Sequence, residues 1–241
     1  WDWAGTAQTQ WFADGGRAAY GTSGSYTQEH SSFYGQRFVR MAQIFRSIWG
    51  SGTDLQLVIQ AHADSPQTDY EWLEAPMWRD SNASGLPAYV APYTLANVLT
   101  VHAQIDGGMG YGGMRTYLDN WRNNLTQTQV FDRMRDQMLT TAYYDDPVWD
   151  QRSVAQMTDK WTQWRTIANN RGLTLACYEF GNHLNDIGGT NTNDVYSALA
   201  GAFSVSSQMG EVYTQAFAAA RTRFNGPICF STLCRTPDKD A

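Results

Sequence analysis

Leu173-Thr174-Leu175-Ala176-Cys177-Tyr178-Glu179 is a short apolar run that follows Gly172 and closes on a carboxylate. Runs of this length, bounded by turn residues, read as buried strands. The same pattern recurs at Leu55–His62 behind a Gly-Thr-Asp turn, at Ala88–Tyr93, and at Ile228–Leu233 behind Asn225-Gly226-Pro227. Helical periodicity fills the intervals: 4–20, 27–49, 115–142, 149–171 and 193–223, with mixed helix and loop signals over 65–86. Along 27–49, Phe38, Met41, Ala42, Phe45, Ile48 and Trp49 recur at helical spacing before Gly50 stops the helix. This alternation predicts an α/β fold in which strands near 55–61, 88–93, 174–179 and 227–232 run parallel in one sheet. Periodicity alone fits a small doubly wound sheet and part of a barrel equally.

The 241 residues suffice for one compact domain, and 1–241 is read as a single one. Gly107, Gly108, Gly110, Gly112 and Gly113 form neither a P-loop nor a dinucleotide fingerprint, so no nucleotide cofactor is expected. They read as a mobile loop, with a substrate lid as the alternative. A net charge of −6 argues against a nucleic-acid partner. No hydrophobic run approaches the roughly 18 residues of a membrane span. No signal peptide is visible, and the opening Trp1-Asp2-Trp3 reads as a cut end.

Charged residues make up only 17%, Lys occurs only at 160 and 239, and there are ten Trp and thirteen Tyr. Individual aromatics usually fill a core. Their excess leans towards a secreted, carbohydrate-handling protein, because aromatic faces stack on sugar rings. The three cysteines show no CxxC and no zinc spacing, and Cys177 and Cys229 read as small buried hydrophobes.

In parallel α/β folds, ligands bind beyond the C-terminal strand ends. Glu179 closes its strand, with Asn182 and His183 just beyond, while His62 and Asp64 follow the first strand. Tyr93 closes the second strand, and Ser231 and Thr232 lie at the end of the fourth. Polar residues at four strand ends suggest a shared pocket, although a strand-end Glu is commonly just solvated or paired with an Arg. A metal-dependent hydrolase using His62, Asp64, His102 and His183 is a rival, but the chain has no HExxH and no close His pair. A serine hydrolase lacks its GxSxG elbow. One parity conflict remains: Cys177 and Glu179 share a face of a regular strand, so a core Cys177 with a pocket-facing Glu179 requires a bulge or twist near Tyr178.

Tyr178-Glu179-Phe180-Gly181-Asn182-His183-Leu184 resembles the Tyr-Glu-Gly-Gly-Gln-His-Leu run on strand 7 of a family of bacterial secreted proteins. That family is similar to the (β/α)8 glycosidases with catalytic carboxylates on strands 4 and 7. Trp1-Asp2-Trp3 resembles the sequence just past the family's strand-4 Asn-Glu, and Ala91-Pro92-Tyr93 its strand-6 Ala-Pro-Tyr. The resemblance covers most of the chain in order. It implies the C-terminal part, about strands 5–8, of a TIM barrel, and a retaining glycoside hydrolase acting on a polysaccharide or oligosaccharide. Glu179 would be the nucleophile and Tyr93 the hydrogen-bond donor that orients it. His62, Asp64, Asn182, His183 and Trp3 would line the sugar subsites, with no metal and no cofactor. The acid/base Glu would lie just upstream of Trp1, leaving the present chain inactive by itself. Phe180 replaces a family Gly and would narrow the pocket. The alternative is a non-catalytic carbohydrate-binding protein on a degenerate barrel.

Overall fold

The computed structural model describes residues 6–21, 26–50, 55–61, 66, 71–81, 84–109, 112–145, 152–182, 184 and 194–230. The helices are α1 (Thr6–Tyr20), α2 (Tyr26–Trp49), α3 (Glu71–Glu74), α4 (Pro76–Arg79), α5 (Met114–Asn124), α6 (Gln127–Thr140), α7 (Val154–Asn169), α8 (Asp194–Ser204) and α9 (Ser207–Arg223). The strands are β1 (Val58–Gln60), β2 (Val98–Ile105), β3 (Thr174–Asn182) and β4 (Ile228–Phe230). They form one sheet in the order β1-β2-β3-β4, with β1 parallel to β2 and β3 parallel to β4. The α/β expectation therefore holds. None of the described helices is long and apolar enough to cross a membrane.

The second strand differs from its expected place. Ala88–Tyr93 is not a strand: Pro92, Tyr93 and Thr94 form a 3-10 turn, and β2 begins at Val98. Pro92 supplies the cause, since it has no N–H for a ladder and its fixed φ suits the first position of a helical turn. The turn closes when the Thr94 N–H and hydroxyl both donate to the Ala91 carbonyl, at 3.0 and 2.7 Å. Tyr93 thus precedes β2 instead of ending a strand. The expected helix 115–142 is also two helices, because Thr126 caps α6 with a reciprocal capping box to Gln129. Ser206 likewise starts α9 and divides the expected helix 193–223.

By its contacts the chain divides into two compact units: Trp1–Val101 with Gln163–Ala176, and His102–Thr162 with Cys177–Ala241. In the first, α1 packs on α2, and Arg17 reaches across to Glu29 with a 2.7 Å ion pair. Val39, Ala75 and Trp78 form a core against Tyr20, Leu86, Tyr89, Val90 and Leu95. Asn97 ties three segments together. Its side-chain oxygen accepts from Leu57 N–H at 2.9 Å, its N–H donates to Leu57 O at 2.8 Å, and its carbonyl accepts from Thr174 N–H at 3.1 Å.

In the second unit, Trp161, Phe180, Phe217, Phe224 and Phe230 form an aromatic core, with ring centroids 4.6–6.1 Å apart. Phe180 therefore packs beneath α7 and α9 and does not narrow a pocket. The glycine-rich segment is no open loop at its start, because Asp106, Gly107, Gly108 and Met109 are all buried. The Gln137 amide donates to Gly107 O at 2.7 Å and to Tyr144 O at 2.6 Å, and its oxygen accepts from the Tyr143 and Tyr144 N–H groups at 3.0 Å. Gly107 is needed there: its φ is +61°, and a Cβ would meet the α6 backbone at Met138 within 2.7 Å. Cys177 is buried as expected, but Cys229 is exposed on the edge strand β4.

Candidate functional site

The period-2 alternation of β2 places His102, Gln104 and the following Asp106 on one face, with Val101, Ala103 and Ile105 on the other. All six are buried; His102 is 1%, Gln104 7% and Asp106 8% exposed. A strand that buries a polar face as deeply as its apolar face lines an interior and not a solvated surface. Asp106 is fixed, with its Oδ1 accepting from Gly108 N–H at 2.7 Å and its Oδ2 3.8 Å from Arg152 Nη1. The His102 ring meets Tyr178 of the neighbouring strand edge-on, centroids 6.4 Å apart. Gln104 makes no hydrogen bond among the described residues. Its amide atoms are not among the fully buried polar atoms left without a partner, so they keep contact with solvent and are open to a ligand or water.

On β3 the register against β4 slips between Cys177, opposite Ile228, and Phe180, opposite Phe230. Three steps on β3 face two on β4, which is a bulge at Tyr178 and Glu179. The slip breaks the regular alternation on which the parity conflict between Cys177 and Glu179 rested. Phe180 then turns to the aromatic core while Tyr178 sits beside His102. Burial pushes the Cys177 thiol up to about 12, only partly offset by the Glu179 backbone N–H beside it. That sulfur is an inert core group and not a nucleophile.

Glu179 is half-buried, and β3 continues past it to Asn182. Among the described residues its carboxylate has no ion pair and no hydrogen bond, so none of the described Arg residues accounts for it. Asn182 is held by a residue that sequence reading did not single out. Its backbone N–H and side-chain amide both donate to the Tyr213 hydroxyl of α9, at 3.3 and 2.8 Å.

Tyr93 lies in the first unit, before β2, with the Arg171 guanidinium 5.6 Å above its ring. The strand-end position that recommended it as a partner of Glu179 is therefore absent. Trp3, His62, Asp64, His183, Ser231 and Thr232 fall outside the described residues. Among those described, no group of three or more His, Cys, Asp or Glu is placed to hold a metal. Gln104 and Asp106 were missed because the second strand was placed at Ala88–Tyr93 and no element was assigned to 98–105. The signal was present in Leu99-Thr100-Val101-His102-Ala103-Gln104-Ile105-Asp106, a strict apolar–polar alternation. Comparisons with protein-family models, with curated proteins and with solved structures give no match to this chain.

Proposed function

We propose that the chain carries the nucleophile half of a retaining O-glycosidase site, with Glu179 as nucleophile. The observation that carries the reading is the half-buried Glu179 carboxylate, unpaired among the described residues, late in a parallel strand and one strand from the buried polar row His102, Gln104 and Asp106. In this reading the sheet is about strands 5–8 of a (β/α)8 barrel. A strictly sequential strand order supports that, since a doubly wound sheet reverses direction at a switch point.

Glu179 would attack the anomeric carbon of a polysaccharide or oligosaccharide, forming a glycosyl–carboxylate ester as the bond to the leaving oxygen breaks. A second carboxyl group, roughly 5–5.5 Å away in such enzymes, protonates that oxygen and later deprotonates the attacking water. The resemblance puts this group just before Trp1, so turnover is assigned to a polypeptide that includes it. His62, Asp64, Asn182, His183 and Trp3 are proposed as sugar-subsite residues in a secreted protein. No catalytic step is assigned to Tyr93.

The test uses a polypeptide extended upstream through the Asn-Glu segment. Glu179→Gln should abolish turnover of the wild type's substrate and keep sugar binding, because the near-isosteric amide cannot form the ester. A mechanism-based probe for retaining nucleophiles should label Glu179 alone. Near wild-type turnover in Glu179→Gln refutes the assignment. If the extended wild-type protein binds oligosaccharides but cleaves none across a broad panel, the non-catalytic binding reading takes its place.

A further inference from the structure

The helix α2 is apolar on both sides. Its inner side buries Phe38, Val39 and Ala42, at 6%, 3% and 1% exposure. Met41, Ile44, Phe45, Ile48 and Trp49 nevertheless stand 56%, 50%, 41%, 63% and 62% exposed. These five follow the i, i+3, i+4, i+7, i+8 spacing of a single stripe. Phe45 and Trp49 stack within it, centroids 5.2 Å apart and planes 18° from parallel, so the stripe has an ordered flat centre. An exposed, contiguous apolar stripe on a helix marks a surface for association. The first unit also ends its sheet at β1, an edge strand whose Val58 is 50% exposed. Edge strand and apolar stripe leave the same unit open to association.

We propose that this stripe of α2 is the two-fold interface between two copies of this chain. Two arguments select a second copy as occupant. The stripe exposes on the order of 500 Å2 of apolar side chain per molecule. Doubled across a two-fold contact, that reaches the roughly 1,000 Å2 that separates specific interfaces from chance contacts. An isologous contact needs only that one patch complement itself, which a continuous apolar helical stripe does when two helices cross at its centre.

Sedimentation velocity on the 241-residue chain across a concentration series tests this. The wild type should sediment as a dimer in the micromolar range. Ile48→Glu and, separately, Ile44→Lys should sediment as monomers with unchanged far-ultraviolet circular dichroism and thermal midpoint. Both side chains are solvent-facing in the monomer, so replacing them costs the fold little, and either folded variant suffices for the test. Val205→Glu, at the 86% exposed turn between α8 and α9, should remain dimeric. A wild-type monomer up to about 100 μM, well above the dissociation constants of stable dimers, overturns the proposal. So does a folded stripe variant that stays dimeric, or an open-ended series of oligomers. A monomer that floats with neutral phosphatidylcholine vesicles would make a lipid surface the occupant and equally overturn it.

Discussion

Gln104 separates stability from function at the level of a single residue. Its side-chain amide makes no hydrogen bond among the described residues yet keeps contact with solvent, so it adds little to the fold. Gln104→Leu should therefore leave the fold intact and change the unfolding free energy by no more than about 1 kcal/mol in urea titrations. Oligosaccharide binding to the same variant should weaken at least several-fold by calorimetry. A marked loss of stability would show that Gln104 is structural, and unchanged binding would remove the β2 polar row from the site. Glu179 follows the same logic, since its half-buried carboxylate has no partner among the described residues whose loss would unfold the chain. Asp106 is the contrast. Its contacts to Gly108 and Arg152 give it a structural task at the end of β2.

Individual elements show how local chemistry sets their limits. The three bonds between Thr126 and Gln129, at 3.0, 3.0 and 3.4 Å, make the break between α5 and α6 an encoded boundary. Thr126→Ala should cost about 1 kcal/mol, the usual worth of such a cap, measured as a lower urea midpoint with unchanged slope. On β3 the bulge shows the opposite dependence. It is invisible in local propensity and exists because β4 pairs with β3 on both sides of the slip, at Cys177 and at Phe180. The aromatic core holds Phe180, while Tyr178 sits beside His102. Most of the tryptophan excess that pointed to sugars also proves structural where it is described, with Trp78, Trp121, Trp161 and Trp164 at 3%, 2%, 0% and 0% exposure.

For the whole molecule, pH offers a test of the first unit. His30 stands edge-on to Trp72, centroids 5.1 Å apart, and burial lowers its pKa below the ordinary 6.5. A lowered folded-state pKa means that the unfolded chain binds the proton first as pH falls. Stability from this group is therefore present above about 6.5 and is lost as pH drops through the folded pKa. The unfolding free energy should fall by no more than about 1.4 kcal/mol per pH unit in that window. His30→Gln should flatten that part of the profile in denaturant titrations at pH 7 to 5. An identical slope in the variant would assign the loss to other groups.

The sequence by itself determined the α/β class, the main helices, three of the four strands and the carboxylate at Glu179. Each is written in local signals: apolar runs bounded by turn residues, helical spacing, and glycine stops. The placement of β2 was also legible in its alternation, but Ala88–Tyr93 competed for it, and only Pro92 in its turn and the ladder from β1 decided between them. Burial on both sides of β2 was a tertiary decision, because alternation describes two faces without saying what covers either. So was the bulge, because register belongs to a pair of strands. The inner and outer sides of α2 look alike in sequence, and only packing chose which one the first unit buries. Periodicity records which residues could share a face, whereas partners in space decide what that face meets.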